Sequence, residues 1–291
     1  MAGGIEMTDE RYSRQVAAFD VEGQRKIEEA RVGIVGLGGL GSHVAQGLSY
    51  LGVRSIVLVD DDHVDTSNLN RLVGARPLDA TEMAPKVDVA KRHITFINPG
   101  ADVQKVHQNL LSRGALEALK ACSVIFGCVD HDAPRLVLSE FAAAYELTLV
   151  DSATEINVSG QQIVDLGGRV VVAHAHDFCL DCAQEIDMAT AKEELFSPPT
   201  RELRRKLGYG AGQDVPAPAV VSLNGVVANL AVTEFLMMIT GIRAPYRHLV
   251  YHGLRGRVNV RTAERRHDCY ICGYVAGKGT ASMVEGYVSG M

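Results

Sequence analysis

The first residues, MAGGIEMTDERYSRQ, contain no apolar run of signal-peptide length, so nothing in them predicts export. Internal repeats, low-complexity tracts and a linker that would separate two domains are also lacking. A membrane span is not supported. The longest apolar stretch, Val220 to Gly241, carries Asn224, Asn229, Thr233 and Glu234, and burying all four in lipid is costly. A buried helix of a soluble, cytoplasmic protein is the reading this predicts. Excess positive charge is missing too: the net charge is -6, which makes nucleic acid an unlikely main partner, since phosphate binding needs clustered Lys and Arg. One local basic run exists, Arg201, Arg204, Arg205 and Lys206. It reads as a solvated helix face, with a docking surface for an acidic partner as the other reading.

What is present is an ordinary globular composition, 47% hydrophobic and 22% charged over 291 residues. That is enough chain for one large α/β domain or two small ones. Residues 8–30 read as a helix. The strand Arg31 to Gly36, a glycine turn, a helix to about Leu51 and a strand Ser55 to Asp60 make a βαβ unit and imply a parallel sheet. A helix over 83–97, a strand over 102–106, a helix over 112–121, a strand over 122–128, a helix over 133–145 and a strand over 148–151 complete a doubly wound half. Short β-rich runs over 156–175 follow, with Gly160, Gly167 and Gly168 as turn signals. A polar excursion with one helix spans 190–217. A long helix over 219–240, strands around 247–261 and a loose tail close the chain.

Gly36-Leu-Gly38-Gly39-Leu-Gly41 lies after a strand and before a helix. Glycines there allow a tight turn and let backbone N–H groups approach a phosphate at the helix N-terminus. Asp60 ends the next strand, 19 residues after Gly41, where an acid can accept hydrogen bonds from a ribose hydroxyl. A nicotinamide dehydrogenase shares these features. The segment that follows separates the readings. Asp60-Asp61-Asp62 leads into Ser67-Asn68-Leu69-Asn70-Arg71, and Pro85-Lys86 comes later. A dehydrogenase has no use for an Asn, an Arg and a Lys just beyond its ribose acid, whereas an enzyme that cleaves ATP must neutralise a triphosphate. The strand over 122–128 runs on to Asp130, followed by His131, Asp132 and Arg135. An acid at that edge is placed to bind Mg²⁺.

The ordered set GLGGLG, DDD, SNLNR, PK and VDHDAPR, with RYSRQ near the start, resembles the ThiF, MoeB and ubiquitin-activating superfamily over about residues 8–273. The resemblance implies a Rossmann-like sheet, parallel in its first half and continued by antiparallel strands. It implies ATP and Mg²⁺ as cofactors, adenylation of the C-terminal glycine carboxylate of a ubiquitin-like protein, and release of pyrophosphate. By position it gives Asp60 the ribose, and Asn68, Arg71 and Lys86 the phosphates, beside Gly36, Gly38, Gly39, Gly41 and Asp62. Asp130 becomes the Mg²⁺-binding acid. Arg14 becomes a finger that reaches the partner's ATP, so a homodimer is expected. His131 departs from the Asn usual after the acid, which puts the nucleotide contact there in question.

Cys179-x-x-Cys182 and Cys269-x-x-Cys272 can offer four thiolates to one tetrahedral Zn²⁺, a closed structural site, and the same arrangement occurs in bacterial members of the superfamily. Cys122 and Cys128 read as core. Many relatives carry a further cysteine in the excursion that takes the carboxylate as a thioester, but no cysteine lies between Ala183 and Asp268. The enzyme is therefore expected to stop at the adenylate and hand it to a sulfur donor, an amine or a conjugating enzyme. An oxyester on Ser197, Thr200 or Ser222 is the alternative, and would need an adjacent base. The expected organisation is an N-terminal helical arm (1–30), an ATP-binding half (31–155), a substrate- and zinc-binding half (156–273) containing a crossover (183–218), and a flexible tail (274–291). Activation of a peptide or a tRNA base, an NAD-dependent oxidoreductase and an inactive scaffold are the competing functions.

Overall fold

The computed structural model describes residues 10–206, 218–262 and 264–289. In chain order its elements are α1 (Ser13–Glu29), β1 (Arg31–Val35), α2 (Gly39–Leu51), β2 (Ser55–Val59), α3 (Pro77–Thr81), α4 (Lys86–Ile97), β3 (Asp102–Val106), α5 (Arg113–Lys120), β4 (Val124–Gly127), α6 (Asp132–Ala144), β5 (Thr148–Ser159), β6 (Gln162–Ala173), α7 (Met188–Glu194), α8 (Pro198–Lys206), α9 (Val221–Thr240), β7 (His248–His252), β8 (Arg257–Val260) and α10 (Gly286–Ser289). One eight-stranded sheet runs in the order β3-β2-β1-β4-β5-β6-β7-β8. Pairings are parallel from β3 to β5 and antiparallel from β5 to β8.

The central strands are buried on both faces, Val32, Ile34, Leu58, Ile125 and Phe126 among them. That is why they read as continuous apolar runs rather than alternating ones. One layer of the core joins β-strands to α2, α4 and α9; the other joins them to α5, α6 and the cysteine knuckles. Helix α9 meets the length and apolarity of a span, and 44% of its most apolar window is buried. It lays Leu223, Val227, Ala228, Ala231 and Phe235 on the sheet. Its acid, Glu234, is 3% exposed as a side chain and is held by the Arg243 guanidinium at 2.6 and 2.8 Å, so the buried charge is matched.

Three expectations change. Gly167 and Gly168 lie inside β6 rather than in turns; a methyl group on Gly168 would stand 2.6 Å from both the Ala153 carbonyl oxygen and a Val227 methyl. Close approach, not chain reversal, explains these glycines. The excursion holds two helices, α7 and α8, with 207–217 outside the described residues. The tail expected to be flexible packs over its described part: Val284 is fully buried, Tyr287 Oη donates to Glu140 at 3.0 Å, and Glu285 meets Lys120 at 2.8 Å.

Candidate functional site: a nucleotide crevice and a four-cysteine centre

Strand order reverses between β1 and β4, and ligands of open α/β sheets bind beside the carboxyl ends of the strands at such a switch point. The glycine turn begins there. Gly36 has φ +84°, and a methyl group on it would stand 2.6 Å from the Cys128 carbonyl oxygen. The turn is thus pressed against the chain leaving β4, and only glycine meets both demands. Gly38 has open space beside it.

Asp60, 9% exposed, follows β2 and accepts from Leu37 N–H at 2.6 Å and from Asp62 N–H at 2.8 Å. Burial raises its carboxyl above the ordinary value, while Lys86 and the two N–H groups pull the other way. Its carboxylate ties the glycine turn to the β2 edge. Lys86 arrives because residues 62–64 pair with 84–86: Lys86 N–H donates to the Asp62 carbonyl at 3.0 Å, and Lys86 Nζ meets Asp62 Oδ2 at 2.6 Å. The Lys86 side chain is 12% exposed and Asp62 is 67% exposed. Asn68, nearly buried, accepts from Asp65 N–H at 3.3 Å and closes a capping box over Thr66–Asn68. Arg71 then lies over the turn, its Cδ 3.4 Å from where a side chain on Gly39 would start.

Asp130 lies beyond the end of β4 with its side chain 94% exposed. His131, not Asp130, occupies the cap position of α6, so Asp130 is free of that structural duty. His131 Nε2 stands 3.8 Å from Asp130, and its Nδ1 lies 3.2 Å from Glu194. Arg14 is elsewhere. Its neighbour Gln15 donates to the Tyr50 carbonyl at 3.0 Å, at the far end of α2 from the glycine turn. At about 1.5 Å of rise per residue, that helix separates them by roughly 18 Å.

Two residues escaped sequence reasoning. Asn224 on α9 is 3% exposed, accepts from Thr154 Oγ1 at 3.0 Å, and directs its amide nitrogen at Gly39. In sequence it was one polar residue in an apolar helix, and only the crossing of α9 over β5 shows its purpose. Glu194 of α7 reaches the start of α6, accepting from Ala133 N–H at 2.7 Å; no spacing rule links it to Asp130. The hydroxyl candidates are ordinary: Ser197 and Thr200 bond to each other at 2.9 Å, and Ser222 is exposed on α9. In the basic run, Arg204 meets Glu193 at 2.9 Å and Phe196.

The four knuckle cysteines are buried, and their Sγ atoms lie within 4.8 Å of one another. The Cys179–Cys269 and Cys182–Cys272 separations are 3.4 and 3.8 Å. These are far beyond a disulfide bond of about 2.05 Å. They match the edge of about 3.8 Å of a tetrahedron whose Zn–S bonds are about 2.3 Å. Arg266 N–H and Cys272 N–H point at Cys182 and Cys269 sulfurs at 3.4 and 3.5 Å, as thiolates require. The donor set fits a Zn²⁺ with four protein ligands and no open position, the pattern of a structural rather than a catalytic site. Cys122 is different: burial pushes its thiol up to about 11, and it stays an inert core residue.

The ThiF family profile matches residues 12–271. The chain belongs to the ThiF family. It is 30% identical over 268 residues to the molybdopterin-synthase adenylyltransferase of Escherichia coli K12, covering 90% of this chain and 96% of that one. It is 28% identical over 268 residues to the sulfur carrier protein ThiS adenylyltransferase of the same organism, covering 90% and 94%. Among solved structures, E. coli MccB with ATP superposes with a TM-score of 0.70 at 19% identity, over 93% of this chain and 76% of that one. This last likeness speaks for the fold. As a ThiF-family member, the chain is an ATP-dependent adenylyltransferase.

Proposed function

We propose that this enzyme adenylates the C-terminal glycine carboxylate of a ubiquitin-like sulfur-carrier protein and stops at the adenylate. The observation that supports the reading is the placement of Asp60 and Arg71 against the glycine turn at the switch point, with Lys86 held on Asp62 and Asp130 two residues beyond Cys128, whose carbonyl the turn abuts. The relatives named for sulfur-carrier activation across nearly their whole length supply the substrate class. Asp60 holds the ribose, while Gly38, Gly39, Asn68, Arg71 and Lys86 hold the phosphates. The exposed Asp130 carboxylate fits Mg²⁺, a hard cation that takes oxygen ligands; Asp130 would hold it, and when bound it would neutralise charge on the phosphates. A carboxylate oxygen of the carrier attacks the α-phosphorus in line, the bond to the bridging oxygen of the β-phosphate breaks, and pyrophosphate leaves with that electron pair. Lys86 and Arg71 balance its charge. Asn224, aimed at the turn, positions the incoming carboxylate or the α-phosphate.

The absence of a cysteine between Ala183 and Asp268 supports an adenylate that is handed on directly to a sulfur donor or conjugating enzyme. Arg14 is exposed on α1, next to Gln15, which meets the far end of α2 from the turn; that placement supports a homodimer in which it serves the partner's site. The protein works in the cytoplasm in this reading. ATP–pyrophosphate exchange with a panel of glycine-ending carriers is the test. Exchange that depends on one of them is expected; exchange that needs none, or appears only with a peptide or tRNA, would replace the carrier reading.

A further inference from the structure

The residue after the metal-binding acid is an imidazole in a particular setting. His131 Nδ1 lies 3.2 Å from Glu194 Oε1, and the other oxygen of Glu194 is fixed by Ala133 N–H at 2.7 Å, at the first turn of α6. A carboxylate accepts only, so Nδ1 is the donor here, and in the neutral imidazole Nε2 is the ring's acceptor. That nitrogen stands 3.8 Å from Asp130 Oδ1. Asp132, the other acid here, is engaged by Arg135 at 3.4 Å, and Arg135 also donates to the Val129 carbonyl at 3.1 Å. Among these groups, Asp130 and His131 keep free donor atoms. Both are exposed, His131 at 55% and Asp130 at 94%, so the two side chains have room to turn onto one ion.

We propose that His131 Nε2 and Asp130 together bind the nucleotide's divalent cation, with Glu194 orienting the imidazole from behind, and that this makes the enzyme prefer Mn²⁺ or Co²⁺ to Mg²⁺. A carboxylate–histidine–metal arrangement fixes the tautomer and raises the basicity of the ligand nitrogen. Imidazole suits first-row transition ions, whereas Mg²⁺ favours oxygen alone. Glu194 is thus a positioning residue supplied by the crossover, and it links the docking of α7 to the metal. The inference rests on the proposed ATP site and adds its cation.

The test uses the zinc-loaded, full-length protein with Mn²⁺ and an α,β-non-hydrolysable ATP analogue. Pulsed electron paramagnetic resonance should show coupling of Mn²⁺ to a directly bound imidazole nitrogen. The coupling should vanish in His131→Asn, and Mn²⁺ affinity should fall about tenfold in Glu194→Gln, with zinc content unchanged as the check on folding. In pyrophosphate exchange, the Mn²⁺-to-Mg²⁺ activity ratio should fall about tenfold in His131→Asn. Mn²⁺ bound without nitrogen coupling, coupling that survives His131→Asn, or no Mn²⁺ binding would each overturn the assignment. If exchange proceeds normally while the coupling is absent, only this inference fails. If the coupling is present and no carrier supports exchange, the function fails and the metal site stands.

Discussion

The two halves of the sheet solve different problems. From β3 to β5 the strands are parallel, and Asp60 and Asp130 follow the carboxyl ends of β2 and β4, with Lys86 held on Asp62 by a short, local pairing. From β5 to β8 the strands are antiparallel and present no such edge. That half is fastened instead by contacts between distant segments: Cys179 with Cys269, and Arg169 with Asp151 and Glu185. Chemistry is carried where backbone direction gathers functional groups; where it does not, cross-links hold the surface together. Asn224 is the bridge between the two, since α9 belongs to the second half and points into the first.

The comparison can be broken at either end. The largest effect is expected in the fastened half. Cys179→Ser or Cys272→Ser should remove about one zinc per chain and cost several kcal/mol, a fall in Tm on the order of 10 °C. Metal analysis and calorimetry check this, and a stable metal-free protein would remove the centre from its structural role. In the crevice, Asp130→Ala should lower exchange by about 10²- to 10³-fold with Tm unchanged. Asn224→Ala should lower it by about tenfold while leaving the zinc in place, which sharpens the bridge; an equal loss of Tm would make Asn224 merely a packing residue.

The smallest effect concerns Glu185. Burial alone would raise its carboxyl, but the His248 imidazole and the Arg169 guanidinium outweigh burial and hold it below its usual 4.5. A lowered folded-state value means the stabilisation is whole above the ordinary carboxylate range and is lost as pH falls through the folded value. Thermal melts of the native protein should therefore drop below pH 4.5 more steeply than those of Glu185→Gln. Matching profiles would remove Glu185 from the fastening.

Much of the first half was legible because its signals are local. A glycine turn between strand and helix, an acid at a strand end and a Lys after Pro85 fix their own surroundings within a few residues. The paired C-x-x-C spacings were readable for the same reason, although the knuckles lie about ninety residues apart and only the fold joins them. Asn224 and Glu194 were not legible. Their partners, Thr154 and Ala133, stand 70 and 61 positions away, and neither side chain matches a periodic or capping rule. Gly167 and Gly168 were misread as turns because a glycine needed for close strand packing looks like one needed for reversal, until the opposing Ala153 and Tyr251 carbonyls are in place.

The most direct measurement is the intact mass of a glycine-ending carrier after brief incubation with the enzyme and ATP, with Asp130→Ala in parallel. The account predicts that the native enzyme adds one AMP to the carrier with pyrophosphate released, and that Asp130→Ala adds none. A carrier that gains a phosphate, or an Asp130→Ala enzyme that forms the adenylate as fast as the native one, would contradict it.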